Sequence, residues 1–106
     1  MSKNEEIKII VVEPSKIYEK IIKNRLDEIY GIVYYPYKEV EILKNVYIIY
    51  SVEATQNRDK IFERNVTING INIYGIFVIV GKKNNLLVSL TNEQVEDIKN
   101  IFERNK

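Results

Sequence analysis

The sequence predicts an α+β domain in which a mainly antiparallel sheet of five to seven strands carries two helices, at about 15–30 and 92–104. Two observations lead to this fold class. Short runs of β-branched residues alternate with turn signals along most of the chain. Two segments with helical spacing of apolar residues interrupt them. We expect residues 1–106 to form a single domain, because this length accommodates one hydrophobic core.

The first third of the chain predicts a strand followed by a helix. Ile7–Val12 is apolar and β-branched, which is typical of a buried strand. Glu13-Pro14-Ser15 ends this strand, because proline suits the first turn of a helix. An apolar stripe then predicts the helix at 15–30, closed by Gly31. The stripe consists of Ile17, Ile21, Ile22, Leu26 and Ile29.

The middle of the chain predicts strands separated by polar turns. Pro36 confines the aromatic segment around it to an edge strand or a strand end. A turn at Lys44-Asn45 leads into an apolar strand at 46–50. The polar stretch 51–64 predicts a surface loop with a short helical turn at about 59–63. Asn69-Gly70 is typical of a type I′ hairpin turn.

The C-terminal third carries the most consistent local signals. Ile71–Val80 predicts one long strand, in which Gly75 indicates a bulge or a close backbone approach. The polar segment 81–85 predicts a hairpin loop longer than two residues before a second strand. Thr91 with Gln94 predicts a capping box at the start of the closing helix.

Composition excludes several classes of function. The 16 basic and 15 acidic residues give a net charge of +1, so a nucleic-acid partner is not expected. The chain lacks cysteine and histidine, which removes thiolate nucleophiles, thiolate metal sites and the usual proton shuttle near neutral pH. No apolar run reaches the roughly 20 residues that span a bilayer. We therefore expect a cytoplasmic protein without a membrane association, without a cofactor and without enzymatic activity.

Four motifs occur in an order that resembles a known family. They are Val11–Lys16, Asn57-Arg58, Ile73–Gly81 and Val88–Gln94. Together they resemble small domains of unknown function that are encoded by phages, plasmids and bacterial genomes, especially of Firmicutes. The resemblance spans about residues 7–102, although Ser15 stands where the family usually has glycine and the segment 30–50 does not match closely. It implies a setting among mobile elements and their contest with host defences, but no reaction.

The candidate ligand-binding residues are dispersed along the sequence. Arg58 offers a planar fork of donors for phosphate or carboxylate, and Asn57 can read a base edge or an amide. The alternative is that Arg58 pairs with an acid such as Glu13 or Glu53 and fixes the loop. The weaker candidates are Glu13 at a strand end, Tyr74 as a stacking surface, and Lys82 and Lys83 near a hairpin tip.

Tyrosines concentrate at the predicted edge strand. Tyr34, Tyr35 and Tyr37 suggest an interface, and edge pairing there would give a homodimer or a higher homo-oligomer. For any single tyrosine, ordinary packing in a strand is the alternative.

Three functional hypotheses follow. The first is a non-catalytic binding protein of a phage or mobile element that captures a phosphorylated, nucleotide-like ligand and so blunts a host signal. The second is a protein–protein inhibitor or accessory subunit that acts through the tyrosine-rich edge. The third is a DNA-binding accessory protein, which the balanced charge disfavours.

Overall fold

The structure, a computed structural model, describes residues 5–33, 35–56, 64–68 and 70–104. The chain begins with a hairpin of two eight-residue strands, β1 (Glu6–Glu13) and β2 (Lys16–Lys23). Pro14-Ser15 forms a two-residue turn between them, and every residue of β2 faces a partner in β1. The predicted first strand is therefore confirmed.

The predicted helix at 15–30 is wrong over most of its length. Only α1 (Leu26–Tyr30) is helical, and it follows the end of β2. The apolar spacing in 15–23 fits a helical stripe, but the β-branched residues there also suit a strand, and pairing along the whole of β1 decides the outcome. Gly31 does cap α1, but with φ −77°, so the left-handed conformation is not used.

A second hairpin follows, made of β3 (Tyr37–Leu43) and β4 (Val46–Ser51). The predicted turn at Lys44-Asn45 is confirmed, and Asn45 adopts φ +62°. The segment after β4 forms α2 (Val52–Gln56), a short helix that the sequence did not predict. Ser51 is fully buried, and its Oγ accepts a hydrogen bond of 3.0 Å from the Ala54 N–H, which caps α2. The helical turn predicted at 59–63 lies outside the described residues.

The predicted hairpin around Asn69-Gly70 is confirmed. It joins β5 (Arg64–Ile68) to β6 (Ile71–Tyr74), with Ile68 opposite Ile71. The single long strand predicted for 71–80 is wrong, because it divides at Gly75. This glycine adopts φ +77°, a backbone conformation that other residues rarely take. The chain leaves the small two-stranded sheet there and enters β7 (Phe77–Lys83) of the large one.

The C-terminal elements follow the prediction with one correction. The loop after β7 is a two-residue turn rather than a longer one, since β7 continues to Lys83 and pairs with β8 (Leu86–Val88). Asn84 and Asn85 both adopt positive φ, as a type I′ turn requires. The closing helix α3 (Asn92–Arg104) and its capping box are confirmed. Gln94 N donates to Thr91 Oγ1 at 3.0 Å, and Thr91 N donates to Gln94 Oε1 at 2.9 Å.

The six-stranded sheet has the order β2-β1-β7-β4-β3, with β8 paired to the end of β7, and all its pairs are antiparallel. The predicted fold class is thus confirmed, and the described residues form three helices where the sequence predicts two. One sheet face packs against α3 and the β5–β6 hairpin around Phe77 and Phe102. The other face, hereafter the second face, packs against α1 through Ile29. Within the described ranges, none of the helices has the length and apolar character that crossing a bilayer requires.

Candidate functional site

Three tyrosines form one aromatic surface where β3 begins, and we call Tyr30, Tyr35 and Tyr37 the tyrosine cluster. The rings of Tyr30 and Tyr37 stack, with centroids 4.3 Å apart and planes 10° apart. The Tyr35 ring meets Tyr37 edge-on, with centroids 5.5 Å apart and an angle of 82°. Tyr37 Oη donates to the Tyr30 carbonyl at 3.3 Å, which links the end of α1 to the start of β3.

The cluster is open to solvent. Tyr35 is 74% exposed and Tyr30 is 42% exposed, whereas Tyr37 is half-buried against the second face. Aromatic rings are the side chains that protein interfaces most often bury, because they supply large contact areas with few rotatable bonds. The stacking also fixes the rings of Tyr30 and Tyr37 before any partner arrives.

The cluster adjoins a free sheet edge. Among the described residues, no strand pairs with the outer side of β3. The Val52 N–H donates to the Pro36 carbonyl at 3.0 Å, so the Pro36 backbone points toward β4. Backbone groups alternate in direction along an antiparallel strand, so those of Tyr37, Glu39 and Glu41 point outward.

The side chains of these outward residues lie on the second face. Tyr37 packs there directly, and Glu39 faces Ile49 of that face across the β3–β4 pair. Directly opposed residues share a face, and side chains along a strand alternate between faces, so Glu41 lies on it too. The outer edge of β3 thus presents one aromatic ring followed by two carboxylates.

The two carboxylates differ in their partners. Glu39 Oε1 lies 2.7 Å from Lys82 Nζ, and this ammonium group also lies 5.6 Å from the ring centroid of Tyr47. Glu41 Oε2 accepts a hydrogen bond of 3.1 Å from the Asn45 N–H, and in the described part of the chain Glu41 makes no ion pair. On the second face, Glu39, Glu41 and Lys82 together therefore carry one net negative charge.

The predicted ligand-binding residues that the structure describes do not all lie close together. Asn57, Arg58 and Tyr34 lie outside the described residues. Glu13 and Tyr74 are near each other, because Asn65 Nδ2 donates both to Val12 O at 3.0 Å and to Gly75 O at 2.8 Å.

Lys82 and Lys83 lie at the other end of the large sheet. Val12 pairs with Phe77, so Glu13 and Lys82 are separated by roughly 20 Å along the strands. Lys82 belongs to β7, where it pairs with Glu39 instead of extending from the hairpin tip. Of the six predicted ligand-binding residues, the four that the structure describes are thus separated into two pairs, Glu13 with Tyr74 and Lys82 with Lys83.

Glu13 interacts with its own hairpin. Its Oε2 lies 3.9 Å from Lys16 Nζ. Burial, and to a smaller extent the hydrogen bond and charge of Glu13, raise the pKa of the Tyr18 hydroxyl. Tyr50, one of the remaining tyrosines, is a core residue, and burial raises its pKa as well. The contacts of Glu13 with Lys16 and Tyr18 thus lie within the β1–β2 hairpin.

A groove of about 320 Å³ lies beside the β7–β8 turn. Its floor is apolar, formed by Ile7 and Leu87, and the exposed Leu86 lines its rim. Asn24 lies at its side and donates from Nδ2 to the Leu87 carbonyl at 3.2 Å. Lys83 contributes a cation that makes no ion pair with any described residue. This groove has the size of a small-molecule site, and its lining carries one positive charge and one negative charge, the carboxylate of Glu5.

Sequence reasoning missed Tyr30 and the paired state of Lys82. The helix predicted at 15–30 ends at Tyr30, and nothing in that prediction brings its ring to Tyr37. Its spacing of seven residues from Tyr37 across Pro36 was the available signal. Nothing in the local sequence indicates that Lys82 meets Glu39, because the two residues lie in different hairpins. Among the described residues, no group of three or more acidic side chains is arranged to hold a metal ion.

Comparison with protein-family models identifies the family of the chain. A family model described as a domain of unknown function (DUF3846) matches residues 7–103, nearly the whole chain. This agrees with the resemblance drawn from the four sequence motifs. No curated protein and no solved structure matches the chain.

Proposed function

Because the chain belongs to a family of domains of unknown function, DUF3846, we propose its function from its own geometry: it is a non-catalytic binding protein that holds a protein partner against the tyrosine cluster. The observation that carries this proposal is the stacked pair Tyr30–Tyr37 with the exposed Tyr35, at the start of a free sheet edge. Rigid aromatic groups of this kind supply much of the binding energy in protein interfaces. A chain without histidine and cysteine also suits binding better than catalysis.

A display experiment tests this proposal. Purified protein is used to select binders from a library of random peptides displayed on yeast, and the enriched peptides are titrated against three proteins. These are the wild type, Tyr35→Ala, and Leu86→Ala as a matched control. Leu86 is a large exposed apolar side chain in the groove at the β7–β8 turn.

The proposal expects Tyr35→Ala to weaken the selected peptides by about tenfold or more, as for an interface hot spot. Leu86→Ala should leave their affinity within about twofold of the wild type. Peptides that bind Tyr35→Ala as tightly as the wild type, or a selection that enriches none, would contradict it.

A second candidate function is the capture of a phosphorylated, nucleotide-like ligand in the groove beside the β7–β8 turn. The observation that favours it is Lys83, which lines a cavity of small-molecule size and makes no ion pair within the part of the chain that the structure describes. Sequestration of such a ligand would suit the mobile-element setting and the counter-defence role that the family resemblance implies. Asn57 and Arg58 lie outside the described residues, so Lys83 is the cation on which this candidate depends.

Calorimetry distinguishes this candidate from the first. Linear and cyclic nucleotides are titrated into the wild type, Lys83→Ala and Lys20→Ala, where Lys20 is an exposed lysine of β2. Binding that is lost in Lys83→Ala alone would support nucleotide capture. Binding that is unchanged in Lys83→Ala would exclude this groove as its site.

A further inference from the structure

We infer that the partner of the tyrosine cluster is an extended peptide segment that joins the sheet as a new strand beside β3, with basic residues followed by an aromatic or apolar one. This inference rests on the proposed function and specifies the chemistry of the partner. It follows from the free backbone groups of β3 and from the side chains that flank them.

The backbone of β3 provides the attachment. The carbonyl and N–H groups of Tyr37, Glu39 and Glu41 point away from β4, as the hydrogen bond from Val52 N to Pro36 O establishes. A peptide laid alongside them in the antiparallel direction would form hydrogen bonds at these three residues. Addition of a strand to a sheet edge is an established mode of peptide recognition, in which backbone groups give affinity and side chains give specificity.

The side chains of Tyr37, Glu39 and Glu41 determine which partner sequence fits beside β3. A cross-strand neighbour of Tyr37 would rest on an aromatic surface that continues into Tyr30 and Tyr35. Neighbours of Glu39 and Glu41 would meet a carboxylate. Glu39 pairs with Lys82, whereas Glu41 makes no ion pair with any residue in the described ranges. Opposite charges across a strand pair stabilise it and like charges destabilise it. An antiparallel partner therefore carries basic residues at two alternate positions and an aromatic or apolar residue two positions later.

The same chemistry disfavours pairing between two β3 edges. The antiparallel register that overlaps the whole outward row sets Tyr37 of one copy opposite Glu41 of the other. In that register the two Glu39 side chains face each other, so like charges oppose. The strand β2, at the opposite edge of the sheet, carries Lys16 and Lys20 and could pair with β3 of a second copy. The resulting dimer would still have one β3 edge and one β2 edge open, so this contact would propagate into a filament.

A peptide with methylated backbone amides tests the inference. The probe is fluorescein-labelled Ser-Lys-Val-Lys-Val-Tyr-Thr-Ser, in which both lysines and the tyrosine would lie opposite Glu41, Glu39 and Tyr37. One version carries N-methyl groups on these three residues, whose amides would face β3. The matched version carries them on the two valines and the threonine, whose amides would face away. Fluorescence anisotropy gives the affinity of each peptide for the full chain.

Strand addition predicts that methylation of the facing amides weakens binding by at least about tenfold, because three backbone hydrogen bonds are lost. Methylation of the other amides should change the affinity by less than about threefold. Glu41→Gln should weaken the unmodified probe by about threefold to fivefold, whereas Glu96→Gln on the exposed side of α3 should not. The glutamine in Glu41→Gln keeps an oxygen for the Asn45 N–H, so the fold is preserved.

Three outcomes would overturn the inference. In the first, Tyr35→Ala weakens binding of the probe, but the two methylated peptides bind equally well. The tyrosine cluster then binds side chains without strand addition, and the proposed function stands. If the probe does not bind, strand addition by a partner of this chemistry is wrong, and the peptide selection separately decides the proposed function. If sedimentation shows concentration-dependent filaments that the probe does not dissolve, the edge binds a second copy instead.

Discussion

The ring of Tyr37 lies flat against the ring of Tyr30 at 4.3 Å, and the Tyr37 hydroxyl donates to the carbonyl of the same residue. This pair connects α1, which packs on the second face, to the edge strand β3. It therefore couples the stability of the α1–β3 connection to the shape of the proposed binding surface.

Tyr37 and Tyr35 should differ in their contribution to the stability of the fold. Tyr37→Ala removes a half-buried ring, a stacked contact and a hydrogen bond, so we expect the free energy of unfolding to fall by about 2 kcal/mol. Tyr35→Ala removes a ring that is 74% exposed and should change it by about 0.5 kcal/mol or less. Urea unfolding followed by circular dichroism measures both. Equal losses in the two variants would mean that the Tyr30–Tyr37 stack does not support the fold.

Glu19 should make stability dependent on acidic pH. Its carboxylate lies 3.1 Å from Lys8 Nζ and 3.2 Å from Lys99 Nζ, and hydrogen bonds from Lys8 and then Lys99 lower its pKa below the usual value. A carboxyl whose pKa is lowered by folding stabilises the folded state above its unfolded pKa, about 4.3. That contribution is lost as the pH falls through the folded pKa.

Glu19→Gln checks this linkage. The difference in unfolding free energy between the wild type and Glu19→Gln should be larger at pH 7 than at pH 3, and 1 M salt should reduce it at pH 7. Glu96→Gln serves as the control, because Glu96 is exposed on α3 and makes no ion pair with the described residues. A difference that does not change between pH 7 and pH 3 would show that Glu19 is not held by the two lysines in solution.

Gly81 should be intolerant of a side chain, because β8 passes close to it. A Cβ at Gly81 would lie 2.9 Å from the Val88 carbonyl oxygen and 3.2 Å from Val88 Cγ2. We expect Gly81→Ala to lower the free energy of unfolding by about 1–3 kcal/mol, since β8 must shift to accommodate it. Gly31→Ala is the matched control: its Cβ would have ordinary contacts of 3.6 Å with Asp27 O and Glu28 O, at φ −77°. Urea unfolding of both variants tests this, and a Gly81→Ala variant as stable as the wild type would contradict the β7–β8 pairing.

Ile21 and Ile22 distinguish the strand from the helix predicted at the same place. Both belong to the apolar stripe of the predicted helix, but in β2 they lie on opposite faces, with Ile22 5% exposed and Ile21 53% exposed. Ile22→Ala should cost about 2–5 kcal/mol of stability, whereas Ile21→Ala should cost about 1 kcal/mol or less. Comparable losses at the two positions in thermal or urea unfolding would favour the helix.

The sequence predicted those elements whose signals are local. The capping box at Thr91 and Gln94, the turn at Lys44-Asn45 and the hairpin around Gly70 depend on residues within a few positions of one another. The edge position of β3 is also predictable, because Pro36 marks a strand that cannot be central.

The failures share a different cause. Residues 16–23 have the apolar spacing of a helix and the β-branched composition of a strand, and pairing with β1 decides between them. Gly75 was recognised as irregular, but its positive φ, which divides β6 from β7, depends on the two sheets that it connects. The contact of Lys82 with Glu39 likewise joins residues 43 positions apart, so spacing alone cannot reveal it.

Amide hydrogen exchange along β3 tests the central claim most directly. In the free protein, the amides of Lys38 and Val40 should be protected by bonds to β4, and those of Tyr37, Glu39 and Glu41 should exchange freely. Addition of the lysine–tyrosine probe peptide should protect these three amides and leave the β7–β8 turn unchanged. Outward amides that are protected without a partner, or that still exchange freely in the presence of bound peptide, would contradict a free β3 edge that takes an added strand.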